Sequence, residues 1–322
     1  MHNQKQKEEE NNSLLFFYIK HIIKWVIIMK ILLMYNYNMY EPTIYRVDNQ
    51  TYIKDKQKRY LLYEVQSEEE LNELYILLNK YFPKNNLYKI VKTKSNALFV
   101  QYYNKKLVLI EIMKQGVDRE NQLKEMLELP SVEYSKYNLD RSNWYYLWSK
   151  INDFTEYEYT YQKWKSKILD ESIDYYMGMA ETAISYLKIM QDENINTQNL
   201  YLSHKRIELK ELYNPLNIVV DYKERDISEY LKYLFYNEQE NNININEIIN
   251  IVQNYNLQPE RIYARLIYPT YFFDVCEKFD TEKNFENDLK KIIYNADKYE
   301  QYLKIIYNEF SKKFSIKKID WL

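Results

Sequence analysis

The 322-residue sequence has two glycines, one cysteine and three histidines, and each shortage closes off a class of chemistry. Gly116 and Gly178 lie far apart. A loop that wraps phosphate groups needs clustered glycines, because they let consecutive backbone N–H groups approach an anion at positive φ. No such loop can be built from this chain. Cys276, standing alone, admits neither an intrachain disulfide nor a cysteine-based metal cluster, and points to a reducing compartment. Its neighbours Phe272, Phe273 and Val275 predict a buried, inert thiol. Excess charge is lacking too: 45 Lys and Arg against 47 Asp and Glu give a net charge of −2, with no basic footprint for nucleic acid. What the chain has in abundance is tyrosine, 37 residues. With the many Asn, Ile and Lys, this reflects an AT-rich genome more than chemistry, and the tyrosines read as core and surface filler.

One long apolar run stands near the start. Met1–Asn12 is polar and charged, and Leu14–Met34 is then almost wholly apolar apart from Lys20, His21, Lys24 and Lys30. Its length suits a membrane span of ~20 residues, but Lys20, His21 and Lys24 fall inside it, each costing ~2.5 kcal/mol or more near a helix centre. The acidic leading region and the lack of a small-residue cleavage site argue against a secretory signal. Three readings stand: an interfacial amphipathic helix, a membrane anchor, or an over-extended reading frame whose true start is Met29 or Met34.

The length suits one large domain or two lobes. Residues 1–34 form the extension, 35–115 a small β-rich lobe and 116–322 a large helical one, with no internal repeat or long linker. Thr51–Ile53, Tyr60–Val65, Ala97–Tyr102 and Leu107–Ile112 have the β-branched and aromatic content of strands, the last two flanking a hairpin turn at 103–106. Ser67 with Glu70 makes a capping box, and Leu71, Leu74, Tyr75 and Leu78 stripe the helix that follows, which Pro83 ends. Beyond Gly116 helical periodicity covers Asn143–Lys167, Ile173–Met190, Asp226–Tyr236, Glu247–Tyr255, Pro259–Cys276 and Phe285–Phe314. Gly178 and Ala180 suggest a close helix contact. Trp144, Trp148 and Trp164 mark either the core of the large lobe or an aromatic docking surface. Arg265, on an apolar helix, calls for a carboxylate, with Asp226 or Glu229 as candidates.

Between the helices lies the stretch on which any chemistry must turn, Ser203–Tyr230: Ser-His-Lys-Arg, a polar insert, then Asn-Pro-Leu-Asn-Ile-Val-Val-Asp. It holds His204, the only histidine outside the first few dozen residues. No nucleophile or partner carboxylate is evident beside His204, so it reads as a structural histidine bonding the loop backbone. Asp221 either binds a metal or holds the turn after it by accepting from backbone amides. Asp226, with Glu229 three residues on, reads as a helix cap.

The segments Asn143–Trp148, Asp174–Ile184, Ser203–Arg206, Tyr222–Tyr230 and Tyr263–Pro269 together resemble the YutH family of endospore coat-associated proteins, over about Tyr45–Phe273. That family is related to the CotS coat proteins, and both are similar in fold to aminoglycoside phosphotransferases and choline kinases. The resemblance implies an α+β, two-lobed protein-kinase-like fold, with a small β-rich N-lobe and a large helical C-lobe, and a place in the protein shell of a bacterial endospore. It also turns the Ser203–Asp221 hairpin into the counterpart of a catalytic hairpin. Phosphoryl transfer on such a hairpin needs a carboxylate two places after the histidine, an asparagine about five further on, and a metal-binding aspartate on the next strand. Here those places hold Arg206 and Glu211, and the metal position corresponds to Asn217 and not Asp221. A guanidinium cannot accept a proton. The strand position of the nucleotide lysine is Tyr63. His204, Arg206, Asn217, Asp221 and Asp226 are therefore vestigial positions, with no catalytic, cofactor or metal residue expected.

The expected function is that of a pseudokinase acting as a structural or assembly component of the endospore coat. Its expected partners are other coat proteins, with no nucleic acid and no small-molecule substrate, and with membrane contact only through Leu14–Met34. The alternatives are an active small-molecule or protein phosphotransferase with an unconventional base, and a membrane-tethered interaction protein.

Overall fold

The computed structural model describes residues 24–47, 50–82, 88–113, 119–133, 136–162, 164, 166–192, 199–207, 212–238, 244–279 and 285–320. It divides into two compact units, one comprising residues 1–116 with 213–216, the other 117–212 with 217–322.

In the first unit, helix α1 over residues 24–37 leads into a sheet. Its strands β1 (Thr43–Val47), β2 (Gln50–Asp55), β3 (Lys58–Val65), β6 (Lys105–Ile112) and β4 (Tyr88–Val91) pair antiparallel in that order, and β5 (Val100–Tyr102) pairs with β6 as well. β6 is an interior strand, paired with β3 on one side and with β4 and β5 on the other, in keeping with its unbroken apolar run: Leu107–Ile110 are all buried. Tyr63, expected in place of a nucleotide lysine, lies on β3 opposite Val108 of β6. Helix α2 (Glu68–Tyr81) starts as its sequence dictates, with Ser67 Oγ accepting from Glu70 N at 3.1 Å and Leu71, Leu74, Leu77 and Leu78 buried. Pro83, expected to end it, lies outside the described residues. On α1 the helically spaced Met29, Leu32 and Leu33 join core clusters with Ile53, Tyr60, Leu107 and Leu109. Residues on both sides of position 34 thus share one core. Residues 14–23 of the apolar run lie outside the described residues, and among those described no helix is long and apolar enough to cross a membrane.

The second unit is mainly helical. It contains α3 (Arg119–Leu127), α4 (Trp144–Tyr157) prolonged by a π-helical turn, α5 (Lys167–Asp170), α6 (Ile173–Asp192), α7 (Glu224–Tyr233), α8 (Ile245–Asn254), α9 (Pro259–Ile267), α10 (Thr270–Cys276), α11 (Phe285–Tyr294) and α12 (Ala296–Ser311). A small antiparallel sheet, β7 (Ser131–Val132), β8 (Leu200–His204) and β9 (Ile218–Asp221), sets Tyr201 opposite Asp221 and His204 opposite Ile218.

One open reading is settled here and three expectations change. Trp144, Trp148 and Trp164 are 2%, 4% and 4% exposed, so they are core and cannot form a docking surface. Trp148 stacks on Tyr268 at 4.2 Å. Pro259–Cys276 is two helices, because Pro269 lacks the N–H that would continue α9 and holds Tyr268 in an extended conformation. Phe285–Phe314 likewise breaks at Asn295. Gly178 sits exposed on α6 with nothing within 4 Å of where a Cβ would be, so it makes no close contact, whereas Ala180 and Ala183 are fully buried. Cys276 is buried as expected, and burial pushes its thiol up to about 12.

Candidate functional site

The site is organised by α7, whose ten residues are all buried although five of them carry charge. Buried charge is costly unless paired, so each must have an address. Asp226 reaches the end of β8: its Oδ1 accepts from His204 N at 2.7 Å and its Oδ2 lies 3.0 Å from His204 Nδ1. Arg225 spans the hairpin, donating to Asp221 Oδ2 at 2.6 Å, to His204 O at 2.7 Å and to Lys205 O at 3.1 Å. Glu224 accepts from Gln258 N at 2.8 Å at the start of α9, with Arg261 3.8 Å away. Glu229 Oε1 accepts from Arg265 Nε at 2.9 Å and pairs with its Nη2 at 2.8 Å. Lys232 donates to Tyr268 O at 2.7 Å and to Thr270 Oγ1 at 2.8 Å, where α9 gives way to α10.

Burial and neighbours shift these groups in different directions. Burial alone would raise the Glu229 carboxyl, but four cations, Arg265 first and then Arg206, Lys232 and Arg225, hold it at about 2. For Lys232 burial wins, pushing the ammonium down to about 7 against the pull of Glu229. Burial is also the largest influence on Asp221, whose carboxyl is held above its ordinary range despite Arg225, Arg265 and Trp144.

The sequence-predicted positions come together around this helix. His204 is 1% exposed, with one ring nitrogen on Asp226 and the other 3.2 Å from Leu212 O. Its structural role is as expected, but it does have a partner carboxylate, 22 positions along the chain. That carboxylate also corrects the reading of Asp226. Helix α7 begins two residues earlier, after Lys223, and the Asp226 side chain serves the β8 strand end in place of a cap. Arg206 lies two places after His204 and forks onto Asp274 of α10, Nε to Oδ2 at 2.7 Å and NH2 to Oδ1 at 2.5 Å. Asn217 clips the same loop: its Oδ1 accepts from Arg206 N at 3.1 Å and its Nδ2 donates to Arg206 O at 2.8 Å. Asp221 accepts from Tyr222 N at 2.7 Å, the turn-holding role, and from Trp144 Nε1 at 2.9 Å. Glu211 lies outside the described residues.

Kinase-like chemistry would place Mg²⁺ at a strand-end carboxylate and a nearby amide. The residues here do not fit the ion. Both Asp221 oxygens already face donors, one of them a guanidinium, both side-chain polar atoms of Asn217 are engaged with the loop backbone, and no cluster of three metal-ligating side chains occurs among the described residues. Sequence reasoning missed Arg225, Lys232, Trp144 Nε1 and Asp274. Only Arg225 left a local signal, four residues after Asp221.

In overall fold the chain is similar to the spectinomycin phosphotransferase APH(9)-Ia in its AMP-bound complex (TM-score 0.59, 13% identity, covering 87% of this chain and 97% of that one). It is similar also to an aminoglycoside phosphotransferase of Alicyclobacillus acidocaldarius (0.54, 12%, 84% and 92%) and to an ethanolamine kinase of Plasmodium vivax (0.55, 12%, 85% and 88%). The fold is thus that of the aminoglycoside phosphotransferase-like kinases, and at such identities the likeness speaks for the fold alone. Within it, the family described as "Spore coat putative kinase YutH" matches residues 30–306, and this chain belongs to that family. The match takes in part of α1 and extends beyond the Tyr45–Phe273 resemblance at both ends. The endospore coat-associated protein YutH of Bacillus subtilis (strain 168) is 25% identical over 178 residues, 48% of this chain and 52% of that protein, so the alignment spans about half of that relative's length.

Proposed function

We propose that this chain is a pseudokinase, a kinase-like scaffold that serves the endospore coat as a structural or assembly component by binding other coat proteins. The observation that carries the reading is the Arg206–Asp274 fork. Where phosphoryl transfer needs a carboxylate to orient the attacking hydroxyl, the chain has a guanidinium that cannot accept a proton and is tied to a carboxylate of α10. From the metal side it is supported by Asn217, the position of the metal aspartate, and by Asp221, both of which are already engaged by other groups. Losing base and metal position together removes the positioning on which this chemistry depends. Isothermal calorimetry of the full chain with ATP and Mg²⁺, paired with a thermal-shift scan of other nucleotides, tests the reading. It expects no binding at millimolar nucleotide. Micromolar, metal-dependent binding with turnover of ATP would replace it by the active phosphotransferase, and Asp221→Ala would then test the metal ligand.

A further inference from the structure

Helix α1 has two apolar faces, and among the described residues only one of them is packed. Met29, Leu32 and Leu33 face the sheet, whereas Ile27, Ile31 and Tyr35, spaced by four, stand 52%, 48% and 68% exposed. Lys24 and Lys30 are exposed on the same helix, and Lys94 adds a third ammonium by donating to Met34 O at 3.1 Å. From Asn11 to Tyr40 the sequence has no Asp or Glu, although a chain with 47 acidic residues in 322 would place about four in any thirty. A helix whose described residues show apolar side chains and lysines and no carboxylate is complementary to a surface that is apolar and anionic at once.

We propose that this outer face of α1 docks on an anionic lipid surface, with Ile27, Ile31 and Tyr35 entering the headgroup boundary and Lys24, Lys30 and Lys94 meeting lipid phosphates. A second copy of the chain fits less well, because a symmetric contact would press the same lysines against one another. The assignment is independent of whether the kinase-like site is active.

The test is sedimentation of the full chain with vesicles of phosphatidylcholine alone and of phosphatidylcholine with phosphatidylglycerol. Binding is expected only to the anionic vesicles, is lost at high salt, and weakens on the order of fivefold for each lysine removed and further for each one reversed. The pair Ile27→Glu with Ile31→Glu should abolish it while leaving the melting curve unchanged, since both positions are exposed. Should that pair misfold, Lys24→Glu with Lys30→Glu asks the same question through charge alone. Wild-type binding by both pairs would overturn the proposal, as would no binding to anionic vesicles. A concentration-dependent dimer abolished by the isoleucine pair, without vesicle binding, would overturn it in favour of a second copy.

Discussion

Replacing Arg265 by methionine tests whether α7 is held by charge pairing. The guanidinium is 3% exposed, places two donors on Glu229 Oε1, and lies over the Trp144 ring at 4.8 Å. Methionine keeps most of the volume, so the change isolates the charge. Removing one partner of a buried pair costs about 3–5 kcal/mol, because the other is left buried without its counter-ion. Lost cation–π contact adds about 0.5–2 kcal/mol. Lys232 works the other way: Arg265 is one of the groups that depress it, so without Arg265 it takes up a proton more readily and partly neutralises Glu229. The net expectation is about 3–5 kcal/mol, a fall in melting temperature of roughly 6–20 °C for a unit of this size. Circular dichroism melts measure it, with Lys312→Ala, which breaks an exposed pair with Glu309, as a control expected below about 1 kcal/mol. The double variant Glu229→Leu with Arg265→Met should return to within about 1.5 kcal/mol of the parent. A single variant melting within 2 °C of the parent, roughly a third of the smallest expected shift, would refute the reasoning, as would a double no better than the single.

Further outcomes follow from the same geometry. Asp226→Ser keeps a capping residue but cannot serve both His204 N and Nδ1, so urea denaturation should show a loss of about 2–4 kcal/mol, whereas a mere cap would lose almost nothing. A chain begun at Met34 lacks the buried Met29, Leu32 and Leu33, worth about 1.5–3 kcal/mol each, and limited proteolysis should open its first unit far faster; equal protection would mean that α1 is dispensable. Lys232 titrates at about 7 when folded and near 10.5 when unfolded, so between those values the unfolded chain holds the extra proton and stability rises with pH, by up to about 1.4 kcal/mol per unit. Lys232→Met should remove that slope between pH 7 and 9 whatever it does to the absolute stability.

What could be read from the sequence was whatever local pattern determines. The Ser67 cap, the alternation of β3, the apolar run of β6 and the helical stripes of α6 and α8 all depend on neighbours within a few residues, and the need of Arg265 for a carboxylate followed from a charge on an apolar helix, the structure choosing Glu229 over Asp226. β1 and β4 escaped notice because Thr43–Val47 is largely exposed and Tyr88–Val91 is only four residues long, so neither carries a clear alternation. Asp226 was misread because an aspartate with a glutamate three places on is the pattern of a cap. The backbone N–H it serves lies 22 residues upstream. Asp274 and Trp144 are 68 and 77 positions from the groups they bond, beyond the reach of any periodicity.

The charges on α7 are poorly explained as stabilisers, since well-packed apolar residues of similar volume hold a helix as firmly as buried ion pairs. Their geometry explains them better as register pins. Asp226 and Arg225 grip the N–H and C=O of His204, Glu224 the start of α9, Glu229 its last turn and Lys232 the joint with α10. A rotation or one-residue slide that an apolar helix could tolerate would break all of these at once. The loop after His204 is fixed by the same means: bonds to the backbone from Arg225, Asp226 and Asn217 hold residues 204–206, and the Arg206 side chain adds one more, from Nη1 to Lys205 O at 2.8 Å. Most of the bonds that shape the hairpin therefore come from residues other than the one at its chemical position. An arginine can stand where phosphoryl transfer needs a carboxylate, and can turn outward to Asp274, while the hairpin keeps its conformation.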